Sequence, residues 1–200
     1  EVEIIAFRLT PFSQTSTVLS QAEAAARAME QLMGVPFRRN EMILLFLDPM
    51  DFQKTGVVTL ALHVGTHIIV SRPEVIQGDL RHVLAHEIAH YYWSSQNSPL
   101  WFSEGGADFL ASYALDQTDQ VSLRERRNEL DIGGARDCAV RGVDSIQQVI
   151  DHLADQGYAK HQSSTFFLCN YALGEFLLLN LHQAMGFDGS ASAWKELHLL

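Results

Sequence analysis

His86-Glu87-Ile88-Ala89-His90, and then Trp101-Phe102-Ser103-Glu104-Gly105-Gly106-Ala107-Asp108, decide how this chain is read. The first stretch sets two imidazoles four positions apart, with a carboxylate directly after the first. On an α-helix, positions i and i+4 share a face about 6 Å apart along the axis, so both rings can reach one cation. The second stretch offers Glu104 as a third donor and Asp108 one turn beyond it. Three protein ligands, an open position for water and a base beside it are what zinc-dependent hydrolysis requires.

HExxH by itself arises by chance in any His-rich amphipathic helix, so its surroundings carry the argument. Asp79 can cap a helix here, and Val83, Leu84, Ile88 and Tyr91 give that helix an apolar stripe. Trp101 and Phe102 are packing anchors for a second helix. Gly105, Gly106 and Ala107 are small enough to let the second helix approach the first. His82, His86 and His90 form a continuous i, i+4, i+8 series whose ends lie about 12 Å apart, too far for one ion. Only the pair His86/His90 has an acid, Glu87, directly after its first member. That leaves His82 as a packing residue or one that touches a ligand from behind.

Roles follow from these positions. Glu104 anchors the ion from the second helix and lowers the net charge of the site. Glu87 is offset from the metal, so it holds the attacking water and takes its proton. Asp108 is placed to accept a hydrogen bond from the outer nitrogen of a ligand histidine, His86 being the nearest in register, which fixes the tautomer. The competing reading of Asp108 is a solvated helix acid.

Outward from this centre the pattern is α+β. Upstream, Glu1 to Leu9 alternates as a strand, and a helix capped at Ser16 or Thr17 runs through Met33 to stop at Gly34-Val35-Pro36. Met42 to Leu47 reads as a buried strand. Val57 to Val64 and His67 to Ser71 read as two strands around a Gly65-Thr66 turn. The Val57 to Val64 strand is either an exposed sheet edge or an interior strand, and His63 and His67 are strand or surface histidines. Downstream, helices are predicted over Leu100 to Leu115, Ser122 to Asp131 (charged and exposed), Ser145 to Ala154, Thr165 to Met185 with Gly186 as its C-cap, and Ser192 to Leu199. Gly133-Gly134 reads as a loop. The architecture is thus one unit over 1–200, a small N-terminal sheet with one helix (1–78) followed by a mainly helical part (79–200), with the HExxH helix at the junction.

Composition narrows the partners. A formal charge of −10 argues against a nucleic-acid backbone and against anionic membranes. No apolar run approaches the roughly 20 residues of a membrane span, and Met42 to Leu47 and Phe176 to Leu181 read as core. A chain that opens on Glu1 and ends in mid-pattern at Leu200 is expected to be a processed or excised part of something longer. An extracytoplasmic or membrane-anchored parent is the favoured setting. Cys138 and Cys169 are the two cysteines; two buried thiols are favoured over one disulfide, and no CxxC motif exists.

HEIAH with WFSEGGADF resembles the gluzincin branch of zinc metallopeptidases, the thermolysin and aminopeptidase relatives. It is nearest the compact peptidase-MA-like domains with their HExxH, short spacer and W-x-x-E-G-x-A. The resemblance covers Met42 to Gly186 and is specific at the two zinc helices. It implies a zincin-like fold, one catalytic Zn2+ on His86, His90 and Glu104, and Asp108 in the ExxxD position. It also implies a tyrosine that supports the oxyanion of the tetrahedral intermediate. Tyr171, fifteen residues before Gly186, leads for that role over Tyr158 and His161, although a tyrosine in a long apolar helix is more often plain core. A peptide or protein substrate follows, bound along a sheet edge in the manner of zincins. No GxMEN strand is present, so exopeptidase action is not implied. The expectation is a zinc metallopeptidase with Glu87 as general base. Its rival is a catalytically silent zincin-like binding or regulatory module, against which the intact Glu87 argues. A deformylase-type site is disfavoured because no cysteine precedes His86.

Overall fold

The computed structural model describes residues 3–8, 15–37, 41–47, 61–64, 67–71, 80–93, 98–118, 122–143, 145, 147–148 and 165–199. Its sheet comprises β1 (Glu3–Arg8), β2 (Glu41–Leu47), β3 (Ala61–Val64) and β4 (His67–Ser71), in the order β1-β2-β4-β3. β1 runs parallel to β2, and β2 parallel to β4, with Ile43 opposite His67 and Leu45 opposite Ile69. β3 is antiparallel to β4, with Val64 opposite His67; the Gly65-Thr66 turn read from sequence lies outside the described residues. Of the two readings of that strand, β3 therefore takes the end of the described sheet; its predicted first residues, Val57 to Leu60, lie outside the described residues.

α1 (Thr15–Met33) begins slightly before the cap assigned from sequence and puts Val18, Ala22, Met29, Leu32 and Met33 into the core. It stops where expected: Gly34 has φ 63, and its N–H donates to the Glu30 carbonyl, an αL ending that glycine adopts without a Cβ penalty. Met42, Leu44, Phe46, Ile68 and Val70 supply the core side of the sheet by strand alternation. α2 (Leu80–Ala89) and α3 (Leu100–Gln117) follow; Asp79 lies outside the described residues. α1 packs on both α2 and α3, while α3 packs most extensively on α6 (Thr165–Leu199). Mainly helical with a small sheet, the chain is consistent with a zincin-like α+β fold. No helix among the described residues is long and apolar enough to cross a membrane.

Several downstream expectations change. The charged helix is α4 (Leu123–Glu129), capped by a reciprocal Ser122/Glu125 capping box. It is not simply exposed, because Arg126 turns inward to the buried carboxylate of Glu175. Gly133-Gly134 is no loop: the helix continues through a π-helical stretch (Leu130–Ala135) into α5 (Arg136–Val140). Gly134 lacks a side chain for packing reasons, since a Cβ there would lie 3.1 Å from the Ala172 Cβ and 3.2 Å from Leu130 Cδ2. Cys138 and Cys169 form a disulfide, with Cα atoms 5.9 Å apart, instead of two thiols, and with Val143 they make a small buried cluster of their own. Gly186 breaks α6 as the sequence implied, at φ 68 and ψ 168, so that two helical segments meet at a kink. Within Phe176 to Leu181, Leu178 and Leu179 are core, whereas Leu177 and Leu181, one turn apart, are exposed. The Ser145 to Ala154 helix lies largely outside the described residues.

Candidate metal centre

α2 turns Leu84, Ala85, Ile88 and Ala89 into the core, which leaves His86, Glu87 and His90 on the adjoining face. Its end is tightened by i to i−3 bonds from Tyr91 N–H to the Ile88 carbonyl and from Tyr92 N–H to the Ala89 carbonyl. The Trp93 indole N–H then donates to the Phe102 carbonyl at 2.6 Å, tying the end of α2 to the first turn of α3. A Cβ on Gly106 would sit 1.8 Å from Trp93 Nε1, so only glycine allows α3 to lie against that ring. This docking presents Glu104 to the two imidazoles.

One donor atom from each of His86, His90 and Glu104 lies within 4.8 Å of the others. Glu104 Oε2 is 3.3 Å from His86 Nε2 and 3.7 Å from His90 Nε2. The two rings meet edge to face, 4.9 Å between centroids. His86 Nδ1 is 2.7 Å from Asp108 Oδ1; a carboxylate only accepts, so Nδ1–H donates and Nε2 is turned to the donor group. His82 stays outside this group, and its Nε2 has no hydrogen-bond partner among the described residues.

The electrostatics separate two imidazoles that belong to one motif. Burial pulls the His86 pKa down, but the Asp108 charge, its hydrogen bond and that of Glu104 outweigh it and hold His86 well above the ordinary value. Burial also dominates at His90, and with the charge on His86 it lowers that ring to about 4, so His90 is neutral with a free lone pair. Asp108 and Glu104 are both held below the usual carboxylate range despite burial. Asp108 responds first to the His86 charge and hydrogen bond, and Glu104 to the hydrogen bond from His86, then to the charges of His90 and His86 and a hydrogen bond from Tyr171. Glu87 goes the other way: burial pushes it up to about 7, against the pull of His86. The gap between His86 Nε2 and Glu104 Oε2 is a position where positive charge is favoured. Two imidazole nitrogens and one carboxylate oxygen that converge around such a position are a donor set suited to a divalent metal of the zinc class.

Two further residues reach the centre. Tyr171 comes from α6, its ring 5.8 Å from that of His86 and its hydroxyl bonded to Glu104. Tyr158 and His161 lie outside the described residues. His63, read from sequence as a strand or surface histidine, in fact stacks on His90 at 5.9 Å and meets Tyr91 edge-on at 4.4 Å. Its backbone N–H donates to Glu87. Only its place on a strand at the end of the sheet hinted at this, since nothing local links position 63 to position 90. His67 is half-buried at the start of β4 and does not join the group.

No protein-family model matches the chain, and no curated protein matches it. Solved structures do. An M1 zinc metallopeptidase from Deinococcus radiodurans aligns with 98% of this chain at a TM-score of 0.65 and 14% identity, over 40% of its own length. A point mutant of it aligns with the same score and identity over 41% of its length. The mutant bound to a Tyr-Ser-Ala substrate aligns at 0.62 and 14%, over 40%. The present chain thus spans about two fifths of these proteins. At this identity the likeness shows the fold alone, which is gluzincin-like.

Proposed function

We propose that the chain is a zinc-dependent peptidase of the gluzincin kind, acting as one zincin-like unit, with His86, His90 and Glu104 holding one Zn2+. The observation that carries this reading is the convergence of those three donors with the buried carboxylate of Glu87 beside them. When bound, zinc supplies Lewis acidity toward a water and a substrate carbonyl.

The remaining chemistry belongs to the chain. Asp108 holds Nδ1–H of His86, so that Nε2 offers its lone pair once its proton has left. His90 is already neutral. Glu87, with a pKa near 7, is matched to accept a proton from water at its carboxylate and deliver it to the leaving amine nitrogen. The Tyr171 hydroxyl, next to Glu104, is placed to donate to the oxyanion that forms on the substrate carbonyl. β3, at the end of the described sheet and carrying His63 beside the centre, is the edge along which an extended peptide would add as a strand. The Cys138–Cys169 disulfide supports placing this chain in an oxidising, extracytoplasmic compartment.

The test is digestion of a peptide library by the wild type and by Glu87→Gln, with zinc content measured in both. Loss of about 10²–10⁴-fold in hydrolysis with zinc retained is expected when a general base is removed from an intact site. Equal cleavage by the two proteins would sink the reading, and zinc uptake without any cleavage by the wild type would favour the silent binding module.

A further inference from the structure

Tyr171 and Glu175 stand one turn apart on α6 and share a face. Glu175 is wholly buried, and both of its oxygens are taken: Arg126 Nε reaches Oε1 at 2.9 Å, Arg126 Nη2 reaches Oε2 at 2.8 Å, and Ser112 Oγ donates to Oε1. Replacing such a buried pair by apolar side chains often leaves stability unchanged or improved, so stability alone is a poor reason for its presence. Its geometry suggests another. Ser112 lies one turn beyond Asp108 on α3, and Arg126 comes from α4.

Where the helices that the clamp joins come closest, backbone meets backbone at Gly105 and Gly174. A Cβ on Gly105 would lie 2.5 Å from the Gly174 Cα, and a Cβ on Gly174 would lie 2.2 Å from the Trp101 carbonyl oxygen. Interlocking side chains are what set the mutual angle and rotation of packed helices, and a glycine-on-glycine contact supplies none. Gly174 is one turn after Tyr171, and Gly105 is next to Glu104, so a rotation of α6 at this crossing would swing the phenol away from Glu104. The bidentate, planar Arg126–Glu175 bond beside the crossing opposes such a rotation.

We propose that Glu175, held by Arg126 and Ser112, is a positioning residue for Tyr171: it locks the rotation of α6 so that the phenol hydroxyl faces Glu104. The consequence for turnover rests on the peptidase reading; the consequence for where the phenol sits does not.

The experiment places 3-fluorotyrosine at position 171 and compares ¹⁹F spectra of the metal-free chain with and without Glu175→Gln. The expected result is a resonance that moves or splits toward that of free fluorotyrosine, with the helical circular dichroism unchanged. An unaltered single resonance overturns the proposal, whether or not the chain cuts any peptide. In the kinetic arm, Glu175→Gln should lower kcat about tenfold with little change in KM, and should cost nothing further in a Tyr171→Phe background, the signature of two residues acting as a unit. Independent, multiplicative losses overturn it. If Glu175→Gln does not fold, Ser112→Ala and Arg126→Lys, which keep the carboxylate paired but loosen the clamp, give the same spectral shift if the proposal holds and no shift if it fails.

Discussion

On one side of the centre, His86, Glu87, His90, Glu104 and Asp108 come from α2 and α3, adjacent in sequence and docked through Trp93 and Gly106. On the other side Tyr171 arrives from far along the chain, on a helix that meets α3 at a glycine crossing and is fixed by a disulfide and a buried ion pair. The α2–α3 side assembles donors by helical period, so each side chain follows from its neighbours' positions. The α6 side assembles by tertiary fit. That difference suggests a division of labour in which α2–α3 holds the metal and α6 contributes to turnover without holding it.

Tyr171→Phe puts the most weight on that division. It is expected to lower kcat about 10²–10³-fold, the scale of removing one oxyanion donor, with metal content unchanged in the same samples. Loss of metal in this variant would break the comparison, because it would make Tyr171 part of the metal-holding side. Asp108→Asn sharpens it from the opposite direction. The amide oxygen can still accept from His86 Nδ1–H but carries no negative charge, so metal affinity should fall about 10–100-fold in a competitive chelator titration. An unchanged affinity would return Asp108 to the status of a helix acid with no bearing on the site. Gly174→Ala probes the seam between the two sides. Its Cβ would run into the Trp101 carbonyl, a backbone atom that cannot move aside cheaply, and a loss of about 1–3 kcal/mol in chemical denaturation is expected. A neutral result would mean that the helices are not in backbone contact there.

The same contrast explains what could be read before the structure. Helical spacing places His86 with His90 on one face of α2 and Glu104 with Asp108 on one face of α3, and the docking of the two helices through Trp93 and Gly106 makes the two faces converge. Gly105 and Gly106 were legible as small residues permitting close approach, but not in their separate duties: Gly106 fits the Trp93 ring, while Gly105 touches Gly174 of α6. Gly133-Gly134 carries the composition of a loop, yet it lies in a π-helical stretch where Ala172 and Leu130 occupy the space a Cβ on Gly134 would take. The pairing of Cys138 with Cys169, the inward turn of Arg126 onto Glu175 and the stacking of His63 on His90 all join positions distant in sequence. Residue type and local period carry no record of such contacts, which only the packed core brings about.

The central claim is that His86, His90 and Glu104 form one metal site, and a zinc titration of the purified chain tests it most directly. At neutral pH, against a chromophoric chelator, about one zinc per chain should bind to the wild type, and binding should collapse in Glu104→Ala and His90→Ala, since a catalytic zinc site depends on three protein ligands. A wild type that takes up no zinc, or a Glu104→Ala chain that binds it as tightly as the wild type, would contradict the account.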